Sequence, residues 1–376
     1  MKESYNYNKL ILDNKMNTFL KQINLNENNN SNKVIELVSD SNKNNTIIKE
    51  SQNRMEEEYR IIKKIYENKF DAAYIVKQKN TGKIYVIKKN SKKSKKNNFN
   101  TIQTIFSDMQ KKDNNEIGGK FCIKYIDCWI ENEKNEFIND EKNYMNINLY
   151  ILLEYYPFGD ILDYLENLEK NNFELNVDFY WDMIFEMIVG LLYFHNKGYI
   201  HFDVKPTNFL VDNDGYIKLN DFGLSHKSEE LRHIDDIIEG DSRYISKELF
   251  EGLDKMPLSL IDNRCDIFSL GLTFLEILAK IELPTNGKIW KDIRTDNFII
   301  PKNLMSNIQD NKQFFKLINQ MISPISKRPT LIELIYEFPE LNKRYELLNS
   351  KKYTKTCKLE NVNSKSNRIY KFLVDF

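Results

Sequence analysis

The sequence predicts an α+β fold in two lobes: a small five-stranded antiparallel β lobe carrying one helix, and a larger, mainly helical lobe. Three observations predict it. Strand-length apolar runs fill residues 59–88 and recur at 123–131 and 149–155. Beyond Pro157 the apolar residues recur at helical spacing instead. The chain has 376 residues, 41% hydrophobic and 12% aromatic, ample for one large two-lobed domain or two small ones with real cores.

Residues 1–54 are dominated by Asn, Lys, Ser and Glu and read as a largely disordered arm. The small lobe is expected over 55–157. Tyr59–Ile65, Ala73–Lys77 and Ile84–Lys88 form its first three strands, with Asn80-Thr81-Gly82 as a turn. Ile102, Ile105, Phe106 and Met109 recur at helical spacing within Phe99–Lys111. Ile123–Glu131 and Leu149–Tyr155 supply two more strands, separated by an Asn-rich insertion from Glu133 to Asn148 that reads as an exposed loop. The large lobe is expected over 158–344. Its central helix, Phe179–His195, puts Met183, Ile184, Met187, Ile188, Leu191 and Leu192 on one stripe and ends near Gly198. Asp266–Leu278, Phe314–Ile322 and Leu331–Glu337 add helices, and residues 345–376 read as a polar, basic tail.

Lys plus Arg equals Asp plus Glu at 55 each, so no global charge draws the chain to nucleic acid or to an anionic membrane. Neither partner is expected. Cys122, Cys128, Cys265 and Cys357 form no CxxC pair and no disulfide framework, so free thiols and no zinc are expected. No signal peptide and no apolar stretch long enough to span a bilayer is apparent, and a soluble, intracellular, monomeric protein is expected.

The most informative stretch is His201-Phe202-Asp203-Val204-Lys205-Pro206-Thr207-Asn208, followed by Asp221-Phe222-Gly223. Transfer of a phosphoryl group from Mg-ATP spreads negative charge over the moving group. It therefore needs a carboxylate for the attacking hydroxyl, metal ligands and a nearby cation. Asp203 would accept the hydroxyl's proton, Lys205 would neutralise the transferring phosphate, and Asn208 and Asp221 would hold Mg2+ against the phosphates. The pattern matches a protein kinase catalytic core and implies the two-lobed protein-kinase fold. Lys88 closes the third strand in Tyr85-Val86-Ile87-Lys88, the setting of the lysine that meets the α- and β-phosphates. A surface lysine is the alternative, since Lys89, Lys92, Lys93, Lys95 and Lys96 follow; that basic run reads as a solvated loop. Phe202 stands where an arginine commonly sits, which removes the guanidinium that would capture an activation-loop phosphate. Thr207 could brace Asp203 and Lys205, or merely cap a turn.

Four further segments sharpen the resemblance. They are Glu239-Gly240-Asp241-Ser242-Arg243-Tyr244, Cys265–Leu272, Glu282-Leu283-Pro284 with Gly287 and Trp290, and Lys327-Arg328-Pro329-Thr330. With His201-Phe202-Asp203 they resemble the Wee family of cell-cycle inhibitory kinases over residues 57–343, most strongly over 201–290. The resemblance implies an ATP-dependent kinase whose protein substrate is a cyclin-dependent kinase, modified on an inhibitory tyrosine and in one branch also a threonine, so that mitotic entry is restrained. One branch is membrane-anchored by an apolar segment after the kinase domain. Residues 345–376, with Lys351, Lys352, Lys355 and Lys358, contain none, which favours a nuclear enzyme, with the cytoplasm as the alternative. By position, adenine would sit against Ala73, Val86, Glu154, Tyr155 and Tyr156, with Leu210 also at the nucleotide, Leu153 at the back and Asp160 near the ribose. Glu248 would pair with Arg328, and Asp266 would hold the catalytic loop's backbone.

Two departures lie in the small lobe. The stretch aligned with the glycine-rich loop, Tyr66–Ala73, contains no glycine, although glycine lets backbone amides approach phosphate. If Asp71 came within about 6 Å of a phosphate, repulsion would be about 2–3 kcal/mol at an effective dielectric near 20; turned to solvent, it would cost nothing. The helix glutamate that should pair with Lys88 is replaced by Thr104, with Gln103 and Asp108 as nearby substitutes, Asp108 one turn on and on the same face. The alternative reading is a pseudokinase, a scaffold that holds a cyclin-dependent kinase without phosphorylating it.

Overall fold

The computed structural model describes residues 34–35, 48–51, 53–68, 71–91, 99–110, 118–133, 146–229, 240–252, 261–295, 298–301, 304 and 311–355. The lysine run 92–96, most of the Asn-rich insertion, Glu239, Cys357 and Lys358 lie outside these residues.

The small lobe is a sheet whose seven strands are β1 (Val34–Ile35), β2 (Ile48–Glu50), β3 (Tyr59–Glu67), β4 (Asp71–Gln78), β5 (Ile84–Ser91), β6 (Tyr125–Glu133) and β7 (Asn146–Glu154). Their spatial order is β1-β2-β6-β7-β5-β4-β3. The five antiparallel strands read from the sequence are all present. The correction is at the edge, where β1 and β2 come from the arm expected to be disordered, and β2 runs parallel to β6. A short helix, α1 (Arg54–Glu58), follows and is tied to β6: the Arg54 guanidinium lies 4.4 Å from the Trp129 ring and pairs with Asp127 at 2.9 Å. Packing thus orders a polar segment that has no periodicity of its own. The β4–β5 register sets Ala73 opposite Lys88, and the β5–β7 register sets Val86 opposite Leu153, so the predicted nucleotide residues share one region of sheet.

Helix α2 (Phe99–Gln110) covers the sheet as its apolar spacing requires, with Ile102, Ile105 and Phe106 buried. In the large lobe, α3 (Ile161–Lys170) starts on Asp160, whose carboxylate accepts from the N–H groups of Leu162 and Asp163. Helices α4 (Val177–Asn196), α5 (Lys247–Gly252), α6 (Arg264–Ala279), α7 (Gly287–Ile293), α8 (Asn311–Met321), α9 (Leu331–Glu337) and α10 (Pro339–Asn349) follow. Both α4 and α6 are buried on nearly every face, as expected of helices apolar all round, and they form the lobe's axis. Two ribbons frame the catalytic loop, β8 (Tyr199–Ile200) with β11 (His226–Lys227), and β9 (Phe209–Val211) with β10 (Ile217–Leu219).

The expected brace is present: Arg328 meets Glu248 at 2.6 Å with both side chains buried, and breaking such a pair typically costs about 3–5 kcal/mol. The boundary read at Arg344 falls inside α10, where that guanidinium is buried against Asp182 of α4 at 2.6 Å. Among the described residues no helix is long and apolar enough to cross a membrane, and Cys122, Cys128 and Cys265 are free thiols, all buried.

Candidate active site

The catalytic loop hangs from one buried carboxylate. Asp266, in the first turn of α6, accepts from the N–H of His201 at 2.7 Å and of Phe202 at 2.9 Å, as the sequence implied. Its Oδ2 also lies 2.9 Å from Nε2 of His195. The His201 ring closes on the Asn220 carbonyl at 3.0 Å, tying this loop to the residue before Asp221. With both ends fixed, Asp203 projects into the cleft between the lobes.

Asp203 is at the centre of a hydrogen-bonded knot. The Lys205 ammonium lies 3.0 Å from Oδ1 and 2.9 Å from Oδ2. Asn208 donates from Nδ2 to the Asp203 carbonyl at 2.7 Å and to Oδ2 at 2.9 Å, and the Asp241 N–H reaches Oδ1 at 3.3 Å. Thr207 lies exposed within the Pro206–Asn208 turn, and the hydrogen bonds above to Asp203 come from other residues. Gly240 explains how Asp241 comes so close: a Cβ there would sit 2.5 Å from the Phe202 carbonyl oxygen and 3.0 Å from Asp203 Oδ1. The Asp241 carboxylate is gripped by Arg243 at 2.6 Å, which holds it below its ordinary range against the opposing effect of burial.

Phe202 adopts a left-handed backbone, φ +62°, and is buried in a cluster with Ile200, Leu224, Ile245, Leu249, Cys265 and Trp290. An apolar plug therefore joins the catalytic loop to the start and end of the following segment, where an arginine would have required a phosphate. Trp290 donates to the Ser242 carbonyl at 2.7 Å, extending the clamp to α7.

Asp221 also has a left-handed backbone, φ +64°, and its carboxylate meets Lys88 at 3.1 Å. The Lys88 ammonium holds the Asp221 carboxyl below its ordinary range. Next to it, Phe222 packs edge-on to His201 at 5.6 Å, stacks on Phe194 at 4.7 Å and meets Phe106 of α2 at 5.8 Å; Phe106 stacks in turn on Tyr125 at 4.7 Å. This unbroken column runs from β6 through α2 to the catalytic loop. The substitution of Asp108 for the missing glutamate is corrected: its Oδ2 accepts from the Tyr199 hydroxyl at 2.7 Å, while Lys88 spends its charge on Asp221.

A cavity of about 50 Å³ lies above this point, lined by Lys88, Leu153, Asp221, Tyr66, Asn90 and Asn220 among others. Lys88, Leu153 and Asp221 were legible in the sequence; Tyr66 and Asn90 were missed. Tyr66, from the glycine-free loop, has its hydroxyl pushed up to about 12 by burial and by the Asp221 and Asp71 carboxylates. Asp71 itself accepts from the Asn90 side-chain amide at 3.1 Å. Of the nucleotide residues read by position, Ala73 and Val86 lie on β4 and β5, and an isolated bridge joins Asp160 to Leu210. Glu154 and Tyr156 are tied to each other: the Tyr156 hydroxyl donates to Glu154 at 3.2 Å and accepts from the Lys124 N–H at 2.9 Å. The buried Tyr156 phenol therefore braces the connection between the lobes.

The donor set suits Mg2+. Asn208 commits its amide nitrogen to Asp203, which leaves its Oδ1 for a hard cation, and Asp221 supplies an ionised carboxylate. Among the described residues no group of three or more His, Cys, Asp or Glu could hold a metal alone, so the ion would need phosphate oxygens to complete its shell.

A family model described as protein kinase domain matches residues 59–338. Over 180 residues, the chain is 34% identical to the mitosis inhibitor protein kinase SWE1 of Candida albicans, covering 48% of this chain and 13% of that protein. It is 27% identical over 303 residues to the mitosis inhibitor protein kinase mik1 of Schizosaccharomyces pombe, covering 74% and 46%. A membrane-associated tyrosine- and threonine-specific cdc2-inhibitory kinase of Drosophila melanogaster is 32% identical over 175 residues, covering 45% and 30%. The matches span less than half the length of each of these relatives.

Proposed function

The chain belongs to the protein kinase domain family, and from that premise we propose that it is a Wee-type kinase that transfers the γ-phosphoryl group of ATP to a hydroxyl of a protein substrate. The substrate hydroxyl oxygen bonds to the γ-phosphorus, the bond from that phosphorus to the β,γ-bridging oxygen breaks, and ADP leaves. The hydroxyl proton passes to Asp203. Lys205, already within 3.0 Å of Asp203, offsets the charge that gathers on the moving group. Asn208 and Asp221 would hold Mg2+, which shields the charge of the phosphates when bound.

The observation that carries this reading is the joint arrangement of Asp203, Lys205 and Asn208 in one hydrogen-bonded knot, with Asp221 delivered to the cleft and Phe222 stacked beneath it. A scaffold has no use for this constellation, and that weighs against the pseudokinase alternative. One relative is named as a tyrosine- and threonine-specific cdc2-inhibitory kinase and another as a mitosis inhibitor, and with the resemblance in sequence these names support a cyclin-dependent kinase as the substrate and its inhibitory tyrosine as the acceptor. A nuclear site of action is part of the proposal. The test is to incubate the chain and Mg-ATP with a catalytically inactive cyclin-dependent kinase complex and to map phosphate by mass spectrometry. Phosphate on the tyrosine of the substrate's glycine-rich loop, absent with Asp203→Asn, is the expected result. Incorporation equal in both proteins, or in neither, overturns it.

A further inference from the structure

The geometry points to Asp108 and Tyr199 as positioning residues that hold α2 in place for catalysis, in the role that a helix glutamate paired with the strand lysine performs in kinases generally. The inference rests on the kinase reading above. A helix that carries part of the site must be fixed with respect to the nucleotide lysine and the metal-binding loop. Here Thr104 stands at the glutamate position, and the Lys88 ammonium pairs with Asp221 at 3.1 Å. The ion pair of the lysine thus goes to the metal-binding loop.

The helix is tied to the large lobe instead. The Tyr199 hydroxyl donates to Asp108 Oδ2 at 2.7 Å, a charge-assisted bond, and the Tyr193 hydroxyl donates to the Met109 carbonyl at 3.2 Å. Tyr199 is fully buried, and its ring stacks on Phe194 at 5.4 Å, so its hydroxyl is held by a rigid body. Its position matters as much as its strength. Tyr199 lies on β8, two residues before His201, and pairs across the ribbon with Lys227 of β11, just beyond Asp221-Phe222-Gly223. The bond from Asp108 therefore reaches the strand that leads into the catalytic loop and, through the ribbon, the strand that leaves the metal-binding loop. Both bonds bear on the C-terminal end of α2, while Phe106 meets Phe222 edge-on at 5.8 Å. A helix held this way keeps its place whatever Lys88 does.

The test uses the full chain and two readouts. In hydrogen–deuterium exchange, Tyr199→Phe is expected to raise exchange of the α2 amides, residues 99–110, about tenfold, the scale of one lost hydrogen bond to a charged group, while Lys88→Met leaves them unchanged. Unchanged α2 exchange in Tyr199→Phe, or faster exchange in Lys88→Met, overturns the proposal without bearing on whether the chain is a kinase. In phosphate transfer, Tyr199→Phe is expected to lower kcat about tenfold with little change in the KM for ATP. Asp108→Asn, which keeps an acceptor for the tyrosine, should retain most activity where Asp108→Ala does not, and Thr104→Glu should repair Tyr199→Phe by supplying a partner for Lys88. A loss that Thr104→Glu leaves unrepaired, or equal loss in Asp108→Asn and Asp108→Ala, assigns the bond to bulk stability and overturns the positioning role. Absence of transfer by the parent chain overturns the kinase reading instead, and the exchange data then decide the anchor alone.

Discussion

Gly240 is the residue on which the acceptor side of the site is most tightly built. Any side chain there collides with the Phe202 carbonyl and the Asp203 carboxylate, so the Asp241 N–H must move off Asp203 Oδ1. Gly240→Ala should lower kcat by about tenfold to a hundredfold, as displacements near 1 Å at reacting groups do, while shifting Tm little; steady-state kinetics beside a thermal melt checks both. Lys88 gives a second prediction. Because it holds the Asp221 carboxyl below the ordinary range, that pair adds stability above the unfolded carboxylate range, and the contribution is lost as pH falls through the depressed folded value. Asp221 is partly exposed, so the effect is modest. The fall in Tm between pH 7 and pH 3 should be shallower in Lys88→Met than in the parent. Asp203, Lys205, Asn208 and Asp221 were legible from sequence because phosphoryl transfer admits so few residue types at those places. The plug around Phe202 was not, since its partners Ile245, Cys265 and Trp290 come from distant elements and any apolar residue would have read the same.

At the scale of elements, β3 to β7, α2, α4 and α6 were legible because each carries a clear period of burial, whereas β1, β2 and the segment after α10 form only by contact. That last segment docks on one buried carboxylate. Glu186 of α4 is fully buried and accepts from the Tyr353 hydroxyl at 3.0 Å and the Ile217 N–H at 2.9 Å, with the Lys355 ammonium 3.2 Å away. Lys120 faces the same spot, 4.9 Å from the rings of Phe121, Tyr216 and Tyr353. Burial raises the Glu186 carboxyl from 4.5 to about 6, against the lowering effect of Lys355, with Asp182 adding to the rise. The folded protein therefore holds this proton more tightly than the unfolded chain. Stability from this group is full below the ordinary carboxylate value and declines as pH rises from about 4.5 to 6, by about 2 kcal/mol. Glu186→Gln, which keeps groups able to meet Tyr353 and Ile217, should flatten that part of the Tm–pH curve. Removal of residues 350–376 should lower Tm, because it strips two partners from a buried carboxylate.

For the whole molecule, the question is whether a cleft closed above by a loop without glycine still takes Mg-ATP, and mass action makes the answer measurable. A ligand at about fifty times its Kd stabilises the folded state by about 2.3 kcal/mol, or roughly 4 °C in Tm for a domain of this size. The absent glycines bear only on the roof of the site, where Asn90 already holds the Asp71 carboxylate. On the proposed function the floor carries the charge: Lys88 would meet the phosphates, and Asp221 with Asn208 the cation. Weakening the roof alone shifts the concentration at which Tm rises without removing the dependence on Mg2+. Removing one carboxylate from the floor removes that dependence and leaves a smaller, metal-independent shift. The parent chain should therefore show a larger Tm increase with Mg-ATP than with ATP plus chelator, and Asp221→Asn should show equal increases in both. Equal increases in the parent at saturating nucleotide would place the weakness in the floor, and the phosphate-binding roles of Asp221 and Asn208 would fall with it.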